Sequence, residues 1–208
     1  MLSKYQLQIA HAVCGALGTL LFLPIGILIP RISRGLTTHR WWFPAHSIVN
    51  GLLGFAFITA AFGIAVANFD VDGGISSTTH RQLGVTLFAL MFAQIGLGIF
   101  THWVKARQGF HFNGRGPTNF LHMILGLVTV AIGWATTYEG LTSEWTLWGV
   151  RGPSAPGYKT GWAVIVAVES AIYLGCLALL PRQLNMESAS RAAKGGQGLE
   201  ANGAKETR

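Results

Sequence analysis

The 208-residue chain is 50% hydrophobic and only 11% charged, and its mean hydropathy is +0.43. Soluble domains carry about a quarter charged residues, so this composition excludes an ordinary soluble protein and predicts an integral membrane protein surrounded by lipid. The net charge of +7 needs no nucleic-acid partner to explain it, because membrane proteins gather basic residues at their cytoplasmic face.

Five apolar stretches follow one another along the chain, each close to the ~20 residues that a helix needs to cross the hydrocarbon core. They are Tyr5–Ile29, Phe43–Ala67, His80–Phe100, Phe120–Tyr138 and Gly161–Leu180. Spans this long and continuous cannot be the alternating ~10-residue strands of a β-barrel. The predicted fold is therefore an all-α integral membrane protein with five transmembrane helices. The first stretch lacks an A-x-A cleavage site and ends in Pro-Arg, so we expect a retained helix and not a signal peptide.

The chain after the fifth span has a different composition. Residues 183–208 are polar, rich in Gly and Ala and free of aromatic side chains, and such a segment cannot bury enough apolar surface to order itself. We therefore predict a membrane domain over residues 1–182 and a disordered tail over residues 183–208. Both cysteines, Cys14 and Cys176, lie inside spans, and no C-x-x-C-H motif is present, so any haem would be held noncovalently.

The basic residues are distributed unequally between the two sides of the membrane. We call the side that holds the N-terminus face A and the opposite side face B; four Lys and Arg residues fall on face A and eleven on face B. Because basic residues favour the cytoplasmic side, the tail is predicted to be cytoplasmic and the N-terminus non-cytoplasmic, in the plasma membrane or an endomembrane. The loops of face B contain a group that we call the face-B basic group: Arg40, Lys105, Arg107 and Arg115.

Four histidines each lie near the start of a different predicted helix. Because successive helices alternate in direction, His11 and His80 share face A, whereas His46 and His122 share face B. Imidazole is a natural axial ligand of haem iron, and two histidines leave no open position for oxygen. Ligand sites in helical bundles are built from side chains on facing helices. The sequence thus predicts a four-helix core with two histidine pairs, each able to hold one haem.

Glycines accompany three of these histidines at the spacing H-x-x-x-G. Residues i and i+4 lie on one face of a helix. Gly15, Gly84 and Gly126 are therefore each predicted to leave a shelf beside a histidine, on which a flat macrocycle could rest. After His46 the corresponding residue is Asn50, so the pattern is looser at that site.

Other polar residues in or beside the spans have no assigned role. His39, His102 and His111 lie in or beside the loops of face B, where a solvated or interfacial histidine is the simpler interpretation. Gln94 lies midway along the third span, at a depth between the two pairs, and Glu169 is the only carboxylate deep in a span. An intramembrane carboxyl must be protonated or paired, which leaves a proton-coupled role open.

Three other interpretations fit parts of the pattern. H-x-x-x-G also occurs where a polar and a small residue assist helix packing, although four histidines paired by face disfavour that explanation. A haem-binding membrane anchor that passes electrons to quinone for a partner dehydrogenase would need a quinone pocket and a contact with that partner, neither of which the sequence identifies. A histidine-based metal or proton transporter would need a site near the bilayer midplane, whereas these pairs lie near opposite faces.

Four segments resemble a known family. HAVCGALGTLLFLPIGILIPR, WWFPAHSIVNGLLG, THRQLGVTLFALMFAQIGLG and HMILG are similar to segments of the cytochrome b561 superfamily, particularly the b561 module of DOMON-linked and fungal members. Together they extend over about residues 11–140. Many DOMON-linked members have Gln where this chain has Asn50.

The resemblance implies two noncovalent haem b groups, one held by His11 and His80 and the other by His46 and His122. It also implies a transmembrane oxidoreductase in which cytosolic ascorbate reduces monodehydroascorbate or ferric iron on the other side of the membrane. The face-B basic group would then be the candidate binding site for ascorbate. Besides membrane lipid, the expected partners include a separate extracellular redox protein. The resemblance leaves open whether the chain forms a homodimer.

Overall fold

The structure is a computed structural model that describes residues 2–69, 77–103, 115–145, 156–190 and 192. Within these residues, five helices are long and apolar enough to cross a membrane. They are α1 (Lys4–Leu36), α2 (Trp42–Asn68), α3 (Thr79–His102), α4 (Pro117–Glu144) and α5 (Gly157–Ser190). The predicted all-α architecture with five spans is confirmed, and each helix extends beyond its predicted apolar stretch.

Three of the helices contain a wider, π-type turn. In α1 this turn, Gly18–Phe22, ends two residues before Pro24, whose ring and missing N–H disturb the regular α-helical ladder. The other two turns are Ser47–Gly54 in α2 and Gly140–Glu144 in α4. Turns of this kind are frequent at functional sites, and both of these adjoin a histidine of the candidate site described below.

The first four helices form an antiparallel bundle, and α5 packs on its outside against α1 and α4. Lipid provides little hydrophobic drive for helix association, so close packing and hydrogen bonds must hold the helices together. A Cβ on Gly18 would lie 2.7 Å from the Ile58 side chain, so the glycine allows α1 and α2 to approach. The indole N–H of Trp162 donates to the Trp134 carbonyl oxygen at 3.1 Å, which fixes α5 to α4.

An apolar core fills the middle of the four-helix bundle. Its buried members are Leu23, Ile58, Leu87, Met91 and Val130. A row of phenylalanine rings lies in the same layer. Phe62 stacks on Phe88 with ring centroids 4.2 Å apart, and Phe92 lies 5.1 Å from both Phe88 and Phe55. This apolar layer separates the two ends of the bundle.

The fifth helix continues through Ser190, so it extends eight residues into the segment 183–208 that the sequence analysis predicts to be disordered. Its end is held by Glu187, whose carboxylate accepts hydrogen bonds from Arg34 at 2.6 Å and from Arg115 at 2.8 Å. Gln183 also donates to Glu187 at 2.9 Å. Ion pairing therefore orders a polar segment that apolar burial alone could not. Residues 191 and 193–208 lie outside the described part of the chain.

Candidate functional site: two histidine pairs

His11 of α1 and His80 of α3 meet at face A. Their ring centroids are 5.9 Å apart and their planes are inclined at 80°. His11 Nδ1 lies 2.8 Å from the carbonyl oxygen of Ala61, and His80 Nδ1 lies 2.9 Å from that of Thr136. Because a carbonyl oxygen only accepts hydrogen bonds, each Nδ1 carries the proton, and each Nε2 keeps its lone pair for another ligand.

His46 of α2 and His122 of α4 meet in the same way at face B. Their ring centroids are 6.2 Å apart and their planes are inclined at 86°. His46 Nδ1 donates to the Gly26 carbonyl oxygen at 2.7 Å. His122 Nδ1 is buried without a hydrogen-bond partner, while Gln94 donates to the backbone carbonyl of His122 at 2.9 Å. Three of the four imidazoles are thus fixed by a backbone carbonyl.

The spacing of both pairs fits axial ligation of one iron by two histidines. An imidazole nitrogen binds a metal ion at about 2 Å and its ring centroid lies about 1 Å further away, so two such ligands place their centroids about 6 Å apart. Metal-binding histidines usually donate their second N–H to a carbonyl or carboxylate, which fixes the tautomer and the ring direction. The structure therefore brings together the same two pairs that the sequence predicts, in a geometry that suits haem.

A cavity of about 430 Å³ opens beside the face-A pair, within the range of about 300–1,000 Å³ that is usual for cofactor sites. His11, His80, Gly15 and Gly84 all line it. A Cβ on Gly15 would have its nearest neighbour at 3.8 Å, and one on Gly84 at 4.0 Å. Both glycines thus lie at the cavity wall beside the histidines, where the sequence predicts them. The polar and aromatic part of the wall includes Arg81, Glu144, Trp145, Tyr158 and Trp162.

Gly126 has a different environment from the two glycines of face A. A Cβ on Gly126 would lie 2.9 Å from the Gln94 amide nitrogen. The missing side chain therefore lets Gln94 reach the carbonyl of His122, instead of leaving an open shelf as the sequence predicted. Gly126 therefore leaves space for Gln94, which hydrogen-bonds to the helix that carries His122.

Asn50 packs against α1 beside the face-B pair. A Cβ on Gly26 would lie 1.8 Å from Asn50 Oδ1, so the asparagine occupies the space that the glycine leaves. Since the carbonyl of Gly26 holds the ring of His46, Asn50 packs on the residue that orients this ligand. Its Oδ1 atom is buried without a hydrogen-bond partner.

Two further glycines, which the sequence analysis did not single out, lie directly beside rings of the paired histidines. A Cβ on Gly140 would lie 3.0 Å from His80 Cε1, and one on Gly98 would lie 3.1 Å from His122 Cε1. These two glycines could have been found from the sequence by comparing their depth in the membrane with that of the four histidines. Gly98 lies near the face-B end of α3 and Gly140 at the face-A end of α4, each beside the histidine with which the neighbouring helix begins.

Replacing Gly98 with valine should weaken haem binding at face B by about 10- to 100-fold, the range seen when groups that orient a metal ligand are changed. The branched side chain would displace the His122 ring. Gly96→Val is a matched control, because it lies on the same helix and a Cβ there meets nothing within 4 Å. Haem content of the purified variants measures the effect. Equal haem content in the two variants would contradict a positioning role for Gly98.

The face-B basic group is only partly described by the structure. Arg40 is exposed, whereas Arg115 is engaged by the carboxylate of Glu187. Lys105 and Arg107 lie outside the described residues. The sequence analysis did not single out Arg31, whose Nε and Nη2 atoms are buried without hydrogen-bond partners. Its Cζ atom lies over the Tyr173 ring, 5.7 Å from the ring centroid.

The three remaining histidines belong to neither pair or lie outside the described residues. The ring of His102 stacks on Phe43, with centroids 3.6 Å apart and planes inclined at 13°. His39 is exposed, and its backbone N–H donates to the Thr37 hydroxyl at 3.1 Å. His111 lies outside the described part of the chain.

Comparison with known proteins identifies the family to which the chain belongs. A family model for eukaryotic cytochrome b561 matches residues 10–147, which include all four paired histidines. Two cytochrome b561 and DOMON domain-containing proteins of Arabidopsis thaliana are each 27% identical to the chain, over 133 and 143 residues. These alignments cover 64% of this chain but only 27% and 33% of the two relatives, and no solved structure matches. The chain belongs to the cytochrome b561 family.

Proposed function

We propose that this chain carries electrons across a membrane between two noncovalently bound haem b groups, each held by one histidine pair. Haem b with imidazole on both sides supplies a one-electron carrier without an open position for oxygen. The observation that supports the proposal most strongly is the placement of two imidazole pairs, with centroids 5.9 and 6.2 Å apart, at opposite ends of one bundle. The proposed ligands are His11 with His80 and His46 with His122.

The protein's own contribution is to fix the rings and to insulate the space between them. The carbonyl oxygens of Ala61, Thr136 and Gly26 orient three of the imidazoles. Thr136 follows His122 by 14 residues on α4, which corresponds to about 21 Å of helix between the two pairs. The phenylalanine row and the apolar core fill this interval, so that water and ions are kept from it.

We infer that cytosolic ascorbate is the donor at face B, and that monodehydroascorbate or ferric iron is the acceptor at face A. The excess of basic residues favours a cytoplasmic face B, and a positive field attracts an anion such as ascorbate. The exposed guanidinium of Arg40 is the observation in the structure that favours an anionic donor.

A separate redox partner at face A is part of the same proposal. The Arabidopsis relatives are named for a DOMON domain as well as for cytochrome b561, and this chain aligns with about a third of their length. We propose that a domain of this kind, on a separate protein, receives the electrons at face A of the present chain. A partner of this kind for the present chain would be detected by copurification from its native membrane.

Neutralising Arg40, Lys105 and Arg107 together with glutamine should slow reduction of the purified protein by ascorbate about tenfold at low salt, and flatten the salt dependence of the rate. Arg115 is left intact because Glu187 already engages it. A double Lys4→Gln, Lys159→Gln variant, which changes the charge of face A, serves as control. Stopped-flow absorbance gives the rates. Unchanged ascorbate kinetics, or equal slowing of a neutral reductant, would argue for another donor.

A further inference from the structure

The carboxyl group of Glu144 is buried in the wall of the cavity beside the face-A pair, which we call the face-A cavity. Glu144 is only 7% exposed, and it lines this cavity together with His11 and His80. It is the last residue of the π-type turn Gly140–Glu144 of α4. A carboxylate inside a membrane span is costly and is usually functional, so its place beside the two histidines calls for a role there.

The Glu144 carboxylate connects the end of α4 to the start of α3. It accepts a hydrogen bond from the Thr78 hydroxyl, and Thr78 lies two residues before His80. The carbonyl oxygen of Thr78 accepts from the backbone N–H of Gln82 at 3.0 Å, so Thr78 is joined to the first turn of α3. The same π-type turn places Gly140 beside the His80 ring, where a Cβ would lie 3.0 Å from Cε1. Glu144 therefore ties the turn that packs on His80 to the helix start that carries His80.

The charge of Glu144 also acts on the other histidine of this pair. The carboxylate interacts electrostatically with the His11 ring, and the low polarity around a buried charge strengthens such an interaction. Arg81 lines the same cavity, but its guanidinium donates to the Ser77 hydroxyl at 2.8 Å in an exposed hydrogen bond, where solvent and salt screen its charge. The negative charge of Glu144 is thus the less screened of the two.

A negative charge near a haem favours the oxidised iron, because ferric iron carries one more positive charge than ferrous iron. The polarity and the hydrogen bonds around a haem are among the means by which a protein sets its reduction potential. A carboxylate buried beside the face-A pair would therefore lower the potential of a haem held there. A lower potential makes the haem a stronger reductant, which suits the face on which the acceptor is proposed to lie.

We propose that Glu144 has two roles at the face-A site. Through Thr78 it positions His80, and through its charge it lowers the reduction potential of the haem held by His11 and His80. Both roles rest on the proposed function, since they require a haem at face A. They do not depend on which compound donates or accepts the electron.

Glu144→Gln separates the two roles, because the amide oxygen can still accept from Thr78 while the charge is lost. The purified full-length variant should keep both haems. In a redox titration its face-A step, the one that His11→Ala lacks, should move to a more positive potential. We expect a tenfold change in the equilibrium constant, or about 59 mV for one electron, and no change in the face-B step. Glu139→Gln is the matched control on the same helix, since this carboxylate accepts from the Ser143 hydroxyl at 2.9 Å and lies outside the cavity wall; both steps should stay at their wild-type potentials.

The positioning role is tested by two variants that break the hydrogen bond between Thr78 and Glu144. Glu144→Leu and Thr78→Val should each weaken haem binding at face A about tenfold, as expected when a group that orients a metal ligand is changed, and should keep the face-B haem. Thr86→Val is the control, because its hydroxyl donates to the Gln82 carbonyl within α3 and its loss should leave both haems in place. Haem content per chain measures the effect.

Two results would overturn the proposal. One is a face-A step that stays at its wild-type potential in Glu144→Gln, and the other is wild-type haem content in both Glu144→Leu and Thr78→Val. A wild-type chain without a face-A step would instead refute the proposed function, and the roles of Glu144 with it. Two wild-type steps that Glu144→Gln leaves unmoved would refute the role of the Glu144 charge alone.

Discussion

His11→Ala and His80→Ala should each remove the same haem, the one at face A. The two imidazoles come from different helices but lie 5.9 Å apart, as two axial ligands of one iron would. Loss of either ligand leaves an incomplete site, so both variants should keep about one haem per chain and lose most of the other. His46→Ala and His122→Ala should likewise share the loss of the face-B haem.

A redox titration monitored by absorbance measures this outcome. Two haems in different surroundings have different reduction potentials, so the titration curve of the wild type should show two separate steps. His11→Ala and His80→Ala should lack the same step, and His46→Ala and His122→Ala the other. His39→Ala is the control, since this histidine is exposed in a loop and its loss should leave both steps unchanged. If His11→Ala and His80→Ala lost different steps, the pairing by face would be wrong.

The second large effect is expected in electron transfer between two sides of a membrane. Proteoliposomes with ascorbate sealed inside and ferricyanide outside should reduce the ferricyanide when they contain the wild-type chain. His46→Ala and His11→Ala should each abolish this activity, because the two pairs lie at opposite ends of the bundle and act in series. An aromatic and apolar layer separates them, so neither pair alone reaches both faces.

The loss of ferricyanide absorbance gives the rate, and liposomes without protein give the leak. The Gly96→Val variant is a useful positive control, because a side chain there contacts nothing within 4 Å and both haems should be kept. A His11→Ala chain that lacks one haem and still moves electrons across at the wild-type rate would disprove transfer in series. A reductase that works from one side would then be the better explanation.

The pairing of the histidines could be predicted from the sequence because it depends only on counting. Five spans that alternate in direction place His11 and His80 at one face and His46 and His122 at the other, whatever the details of packing. The structure brings the same residues within 6.2 Å of each other, measured between ring centroids. Helix count and membrane depth are thus encoded in hydropathy, which a single sequence contains.

Contacts between helices could not be predicted in the same way, because they depend on the rotation of each helix about its axis. Gly126 has the same spacing from a histidine as Gly15, yet Gln94 occupies the space beside it and leaves no open shelf. Gly98 and Gly140 lie beside histidine rings of neighbouring helices, and no motif within one helix reveals that.

The end of α5 is another feature that the sequence alone could not predict. Composition alone indicates a disordered segment, but Glu187 meets Arg34 and Arg115 from two distant parts of the chain. An ion pair of this kind is specified by three-dimensional proximity, which local composition does not record.

The most direct test of the central claim is the haem content of the purified full-length chain, measured by the pyridine haemochrome assay beside its dithionite-reduced spectrum. Two histidine pairs at two faces predict two haem b per chain, both released by acid extraction because neither is covalently attached. One haem per chain at saturation, or a reduced spectrum that is not of the b type, would contradict the account.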